Sequence, residues 1–114
     1  MNLAQQKCVP CEGGTSPMSD IDVAEYLKKL SGWEKRGNVI ERKFEFADFA
    51  LAMKFVNAIA DIAEREGHHP DLSISYNKVT ITLSTHAIGG LSLNDFILAA
   101  KIDEKYVCQS LLSA

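Results

Sequence analysis

The sequence has few cysteines, no long apolar run and no excess of positive charge. Three cysteines are an odd and small number, which argues against the disulfide framework of a secreted protein. No apolar run approaches the roughly 20 residues that cross a bilayer, and the N-terminus lacks the basic and then apolar pattern of a signal peptide. A formal net charge of -3 does not suit broad contact with a phosphate backbone. These absences predict a cytoplasmic protein with neither a membrane nor a nucleic acid as partner.

At 114 residues the chain is long enough for one hydrophobic core and too short for two ordinary domains. Residues 1–18 are rich in proline and glycine and lack periodicity, so they are predicted to form a flexible N-terminal arm. Cys8 and Cys11 lie there at a spacing that could supply two zinc ligands, but a closed structural site needs four and no second pair follows. A single domain is predicted over residues 19–114.

The hydrophobic pattern predicts the order α-β-β-α-β-β-α. Helical spacing indicates helices over about 20–31, from 47 to Gly67, and from Ser92 onward. Alternating patterns indicate two hairpins, with turns at Gly37-Asn38 and Asn77-Lys78. We therefore predict an α+β two-layer sandwich, in which three helices cover one face of a four-stranded, mainly antiparallel sheet. The faces expected to be buried are those of Ile40, Arg42, Phe44 and Phe46; Leu72, Ile74 and Tyr76 with Val79, Ile81 and Leu83; Phe49, Ala52, Met53, Val56, Ile59, Ala60 and Ala63; and Leu93, Phe96, Ile97, Ala100 and Val107.

All three histidines flank the second predicted hairpin. Pro70 disfavours the helical conformation at His69, so the chain should leave the long helix in an extended form. A two-residue loop at Asn77-Lys78 would, if the ladder continued, place His69 opposite His86 on the polar face, with Cβ atoms roughly 4.5 to 5.5 Å apart. The direction of His68 is not determined by this register. Two imidazoles placed in this way could share one small ligand.

Histidine suits proton transfer near neutrality, because its ordinary pKa is about 6.5. Asp95, in the first turn of the last helix, could orient a neighbouring ring and stabilise its charged form. This chemistry fits an elimination, an isomerisation or a hydrolysis without a covalent intermediate. Each element also has a simpler interpretation: the His-His-Pro step as a helix exit, Ser92 to Asp95 as a capping box, and Glu64 as a solvated side chain.

Two other functions stay open at this point. Three histidines and a carboxylate could bind zinc or non-haem iron, although the short-range spacings H-x-H and H-E-x-x-H are missing. A binding module is also possible, since the second face of the sheet is rich in serine and threonine and could recruit another chain.

Several uncommon elements recur together at fixed spacing and resemble one family. They are Glu64, His68-His69-Pro70, Tyr76-Asn77-Lys78-Val79, the run from Thr80 to His86, and Gly90-Leu91-Ser92 followed by Asp95. This pattern closely resembles the signature of the pterin-4a-carbinolamine dehydratases over roughly residues 19–107. The CVPCEGG segment around Cys8 and Cys11 also looks like the leader of some bacterial members.

The resemblance implies a lyase that dehydrates 4a-hydroxytetrahydropterin to quinonoid dihydropterin and recycles the pterin cofactor of aromatic amino acid hydroxylases. It implies a pterin as substrate, a homodimer or homotetramer, and neither a metal nor a bound cofactor. An alternative drawn from the same family is a dimerisation module of a transcriptional cofactor, with weak or vestigial activity.

The resemblance also implies the site residues. His68 and His86 would be the acid and base, and His69 would chiefly hold the pterin. The expected substrate-binding residues are Glu64, Pro70, Ser84, Thr85 and Asp95. Leu72 departs from the family pattern, because many members carry an aromatic residue there, and this puts the preferred pterin side chain in question.

Overall fold

The computed structural model describes residues 3–9 and 16–113, with side chains described as far as residue 109. The elements are α1 (Asp20–Leu27), β1 (Glu34–Arg36), β2 (Val39–Glu45), α2 (Phe49–Glu66), β3 (Asp71–Ser75), β4 (Lys78–Leu83) and α3 (Leu93–Ser113). The strands form one antiparallel sheet in the spatial order β1-β2-β4-β3. The predicted fold class, an α+β two-layer sandwich, is confirmed.

The two central strands supply the sheet side of the core. Ile40 and Phe44 of β2, together with Val79, Ile81 and Leu83 of β4, are each at most 2% exposed. These residues alternate with polar ones along each strand, as residues on one face of a pleated sheet must. The predicted alternation is therefore confirmed for β2 and β4. These two strands are anchored in the core, and they position the loops that follow them.

The long helix α2 begins and ends with clear capping groups. The Asp48 carboxylate accepts a hydrogen bond from the Leu51 N–H at 2.8 Å, and Gly67 ends the helix in the left-handed conformation at φ 66°. The buried face differs from the predicted stripe, because Phe55 and Ile62 belong to the core whereas Phe49, at 50%, and Ala60 are exposed. The helix is rotated in this way because the Phe55 ring packs against aromatic rings of the first hairpin, at centroid distances of 5.0 Å.

Two predicted helix features need correction. The helix predicted to reach residue 31 ends at Leu27, and tighter three-residue turns carry the chain on to Gly32, whose φ is 81°. Val107, predicted to be buried in α3, is 57% exposed and lines a cavity between α1 and α3. Periodicity alone did not indicate where α3 passes the edge of the core.

The second hairpin turns one residue earlier than predicted. Ser75 pairs with Lys78 and Ile74 with Val79, so the loop is Tyr76-Asn77 and the predicted pairing of Tyr76 with Val79 is wrong. Tyr76 takes a left-handed φ of 53°, which is uncommon for a bulky residue. A contact with the residue that follows β2 favours this turn: Phe46 donates its N–H to the Asn77 carbonyl, and the Asn77 side-chain amide donates to the Phe46 carbonyl.

β3 is an edge strand, and its apolar residues are not buried as predicted. Leu72 is 38%, Ile74 39% and Tyr76 64% exposed. An edge strand pairs on one side only, so its backbone and part of each side chain stay accessible.

The described part of the N-terminal arm contacts the domain. Residues 3–5 form a single 3₁₀ turn, and Leu3 in it is only 6% exposed in the hydrophobic core. The flexibility of the arm stays a prediction, and Cys11 lies outside the described residues. Of the helices in residues 3–9 and 16–113, none combines the length and apolar character needed to cross a membrane.

Candidate active site

The end of α2 directs His68 toward α3. Gly67 adopts the left-handed conformation that an L side chain would resist, and the His68 backbone N–H then bonds the Ala63 carbonyl at 3.2 Å. This closes the helix and brings the His68 ring against the first turn of α3. The His68 side chain is 12% exposed, so the ring is mostly enclosed while one part still reaches the surface.

Asp95 is the partner of His68 and is fully buried. One carboxylate oxygen, Oδ1, lies 2.6 Å from His68 Nε2. The other, Oδ2, accepts hydrogen bonds from the Thr85 hydroxyl and the Ser92 N–H, each at 2.9 Å. A buried carboxylate is costly unless donors surround it, and three donors surround this one. The expectation that Asp95 could reach and orient a histidine is confirmed for His68.

A chain of hydroxyl groups fixes the Asp95 carboxylate. Thr85 is 4% exposed, and its Oγ1 lies 2.7 Å from Ser92 Oγ. Because the single hydroxyl proton of Thr85 goes to Asp95, the Ser92 hydroxyl must donate to Thr85. The predicted capping box is therefore half formed: the Asp95 side chain binds the Ser92 N–H, while the Ser92 hydroxyl turns to Thr85 instead of the helix.

The loop that carries His86 is tied to this network. The backbones of Thr85 and Gly90 pair reciprocally, with Thr85 N to Gly90 O at 2.8 Å. Between them His86 begins a short 3₁₀ turn, and Gly89 closes it with a φ of 67°. His86 is exposed and follows directly after the residue that donates to Asp95. The His68 ring and the base of the His86 loop are thus attached to the same carboxylate.

His69 has a separate partner. Its Nε2 lies 2.5 Å from Glu64 Oε2, and both side chains are more than 60% exposed. Among the described residues no hydrogen bond joins this pair to the His68 and Asp95 group. Pro70 and Ser84 are half-buried next to the ends of β3 and β4.

The predicted pairing of His69 with His86 across the hairpin is wrong. Asp71 lies opposite Thr82, so the observed register directs His69 toward Ser84, two residues before His86. His86 also leaves the strand direction, because β4 ends at Leu83 and a turn follows. A loop shift of one residue moves the pairing by two residues, which keeps each side chain on the same face of the sheet. The predicted face of His69 is therefore right, and its predicted partner is wrong.

Two further observations bear on rival sites. In residues 3–9 and 16–113 no group of three or more His, Cys, Asp or Glu side chains is placed to hold a metal ion. A cavity of about 920 Å³ opens between α1, α3 and residues 3–6, and no histidine lines it. Its volume lies within the usual range for small-molecule sites and its lining is mainly apolar, but the three histidines lie elsewhere.

The site therefore holds a buried carboxylate against a partly exposed histidine, an arrangement that general acid-base catalysis can use. Comparison with known proteins makes the class specific. The sequence profile of the family Pterin 4 alpha carbinolamine dehydratase matches residues 16–105. The chain belongs to this pterin-4a-carbinolamine dehydratase family, and the resemblance seen in the sequence is confirmed.

Individual relatives agree with the family. A protein of Nitrosospira multiformis that carries the name of a pterin-4-alpha-carbinolamine dehydratase is 48% identical over 102 residues, covering 90% of each chain. A protein of Alkaliphilus metalliredigens with the same name is 45% identical, covering 91% of this chain and 96% of its own.

Solved structures share the fold. A transcriptional coactivator/pterin dehydratase from Brucella melitensis has a TM-score of 0.77 and 33% identity, covering 80% of this chain and 99% of its own. A pterin dehydratase-like protein identified as a RuBisCO assembly factor in the alpha-carboxysome has a TM-score of 0.55 and 23% identity, covering 65% and 86%, and supports the fold alone.

Proposed function

We propose that this protein dehydrates 4a-hydroxytetrahydropterin to quinonoid dihydropterin by histidine general acid-base catalysis. The observation that carries the proposal is the contact between His68 Nε2 and the buried Asp95 carboxylate, within a chain of the dehydratase family. The reaction breaks the bond from C4a to its hydroxyl oxygen and removes the proton from N5. The electron pair left on N5 forms the double bond to C4a, and the hydroxyl takes a proton from the catalytic acid and departs as water.

His68 is suited to one of the two proton transfers. An ionised Asp95 can only accept, so the hydrogen bond at Nε2 requires that His68 carries a proton there. In the neutral ring Nδ1 is then the free acceptor, and we assign to it the proton exchange with the pterin. Asp95 also stabilises the imidazolium that forms when Nδ1 takes up a proton.

The remaining roles follow the family pattern. His86 would perform the complementary transfer, and its exposed ring can reach a ligand lying over the loop. His69, paired with Glu64, would help to hold the pterin, together with Pro70 and Ser84. We assign no bound metal or cofactor to the reaction, since two positioned imidazoles can supply both proton transfers.

Stopped-flow absorbance with freshly generated carbinolamine tests the activity. We expect the protein to accelerate dehydration well above the spontaneous rate, and to do so after dialysis against a chelator. A rate equal to the spontaneous one would reject the enzyme. Loss of activity on chelation, restored by one metal, would instead support a metal-dependent enzyme.

Substitution of the histidines tests the assigned roles. We expect His68→Ala and His86→Ala each to lower kcat about 10²- to 10⁴-fold, which is the usual contribution of a positioned acid or base. His69→Ala should mainly raise KM, because we assign it to binding. Wild-type kcat in both of the first two variants would contradict the assignment.

We also propose that the chain forms a homo-oligomer through the edge strand β3. The observation favouring this is the exposure of Leu72, Ile74 and Tyr76 beside a strand that, within residues 3–9 and 16–113, pairs with β4 alone; such an edge is an established route to pairing between chains. Light scattering of Ile74→Lys should then give a smaller particle than the wild type. An unchanged mass would show that this edge is not the interface.

A binding role of the transcriptional cofactor type is the second candidate function. It is favoured by the same exposed edge and by the name of the Brucella melitensis structure. A variant such as His68→Ala separates the two functions, because a binding module should keep its partner while catalysis is lost. If cells that carry only His68→Ala behave like cells that lack the protein, dehydration is its main role.

A further inference from the structure

The N-terminal segment Leu3–Val9 is attached to α3 through Asn94, directly beside Asp95. Asn94 is 4% exposed, and its side-chain amide binds both backbone groups of one residue of the segment. Oδ1 accepts from the Val9 N–H at 2.9 Å, and Nδ2 donates to the Val9 carbonyl at 2.5 Å. The Cys8 thiol adds a third contact, to the Asn94 carbonyl at 3.6 Å. A buried amide that uses both of its functions on one residue holds that residue in a defined position.

The same segment is attached to α2 through Glu66, two residues before His68. Glu66 Oε1 accepts from the Cys8 N–H at 2.8 Å, and its Oε2 lies 3.9 Å from Lys101 Nζ. Lys101 in turn donates to the Ala4 carbonyl at 2.7 Å. The side chains of Glu66 and Lys101 are 13% and 18% exposed, so these contacts are shielded and stronger than surface pairs.

The thiol contact is compatible with this docking at neutral pH. Burial, together with the nearby Glu66 carboxylate, raises the pKa of the Cys8 thiol to about 12. The thiol therefore keeps its proton and can donate it to the Asn94 carbonyl.

A second stretch of the arm contacts the His86 loop. The Met18 N–H bonds the Leu91 carbonyl at 2.8 Å. The Pro17 ring lies so close to Gly90 that a Cβ added there would be 2.8 Å from the proline Cβ. The described residues before α1 therefore contact one residue close in sequence to each part of the network: Glu66, two residues before His68; Asn94, next to Asp95; and Gly90, in the loop of His86.

We propose that the segment Leu3–Val9 holds the His68 and Asp95 pair in its reactive arrangement, with Asn94 and Glu66 as positioning residues. This rests on the dehydratase function proposed above. The two residues act through the backbone: they fix the first turn of α3 and the last turn of α2, from which Asp95 and His68 project. Misplacement of a reacting group by about 1 Å can cost roughly 10²-fold in rate, so loosening either turn should be visible in kcat.

The test uses the full chain with Asn94→Ala, and Asn57→Ala as the matched control on the exposed side of α2. Nuclear magnetic resonance reads the exchange rate of the Cys8 and Val9 amides and the ring signals of His68, and stopped-flow reads kcat and KM. For Asn94→Ala we expect at least tenfold faster amide exchange, displaced His68 ring signals and a kcat about tenfold lower, with KM within about twofold. The control should match the wild type in all four readouts.

A second pair of variants guards against a simple loss of folding. Glu66→Gln keeps an oxygen to accept from the Cys8 N–H, whereas Glu66→Leu removes it. We expect the Gln variant to retain most of kcat and the Leu variant to lose about as much as Asn94→Ala. Urea unfolding first establishes a temperature at which each variant is fully folded, and the kcat values are compared at that temperature.

Two results would overturn the proposal. One is faster exchange of the segment with unchanged His68 signals and unchanged kcat, which would make the docking merely structural. The other is equal activity of Glu66→Gln and Glu66→Leu. The ring signals are read without pterin, so they decide this proposal even if the wild type shows no dehydration, a result that would reject the proposed function alone.

Discussion

The hydroxyl of Thr85 offers a direct test of the network behind His68. Thr85→Val keeps the shape of the side chain and removes the hydrogen bond to Asp95 Oδ2 and the one accepted from Ser92. Asp95 is left with two donors, the Ser92 N–H and His68. Thr85→Val therefore changes the hydrogen bonding of Asp95 and leaves the shape of the site nearly unaltered.

The size of the effect can be estimated from these contacts. A hydrogen bond to a charged group contributes about 1.5 to 3 kcal/mol, and the remaining Ser92 N–H prevents Oδ2 from becoming an orphaned buried acceptor. We therefore expect Thr85→Val to lower the free energy of unfolding by about 2 kcal/mol, or roughly 8 °C in Tm for a chain of this size. If about 1.4 kcal/mol of this stabilisation acts in the transition state, kcat falls about tenfold.

Urea unfolding followed by Trp33 fluorescence measures the stability. Trp33 is the single tryptophan and is 7% exposed, so its signal reports on the core. Thr80→Val is the matched control, since Thr80 lies on the open face of β4 and valine suits a strand. It should change stability by less than about 0.5 kcal/mol and leave kcat unaltered. A Thr85→Val protein that is destabilised but has wild-type kcat would refute a catalytic role for the carboxylate.

Three further outcomes are expected. Asp103→Leu should lower the free energy of unfolding by about 2 to 4 kcal/mol in urea titrations, because it leaves the Arg42 guanidinium without the carboxylate that binds it at 2.7 Å; equal stability would contradict this. The wild type should lose stability relative to Cys8→Ala as the pH rises from 9 to 12. The raised pKa keeps a proton on the folded thiol that the unfolded chain releases, so the stability that Cys8 contributes is complete below pH 9 and declines above it. Gly67→Ala should cost about 1 to 2 kcal/mol from backbone strain alone, since a Cβ there meets nothing within 4 Å; a thermal scan showing no loss would mean that the helix end relaxes.

The sequence predicted the fold well wherever a segment has one clear pattern of apolar residues or one clear helix end. The alternation in β2 and β4 and the stop at Gly67 were sufficient, because burial on one face and a left-handed helix end each have one common sequence solution. The turn of the second hairpin was predicted wrongly because it depends on a contact with the residue after β2. The backbone and side chain of Asn77 bind Phe46, and this tertiary contact places Tyr76 in a conformation that its type disfavours.

The sequence named the candidate site residues, whose roles stay predictions, and it paired two of them wrongly. Residue types and the family resemblance indicated His68, His69, His86, Glu64 and Asp95, but the register linked the wrong two histidines. The pair of His68 and Asp95 depends on where the end of α2 meets the start of α3, which is a tertiary contact of residues 27 apart in sequence. The contact of Thr85 with the substrate stays a prediction, and the sequence did not indicate that its hydroxyl donates to Asp95.

Asn94 and Glu66 had no signal of their own. Both are polar residues in helices, and such residues are usually solvated. Their partners are backbone groups of a segment that lacks periodicity, so no sequence pattern could indicate the contact.

A crystal structure with a bound dihydropterin tests the central claim most directly. The account predicts the pterin ring between the His68 and His86 imidazoles, with His68 Nδ1 within hydrogen-bond reach of the reacting edge, about 2.6 to 3.2 Å or through one water. A pterin bound in the apolar cavity between α1 and α3, away from every histidine, would contradict it.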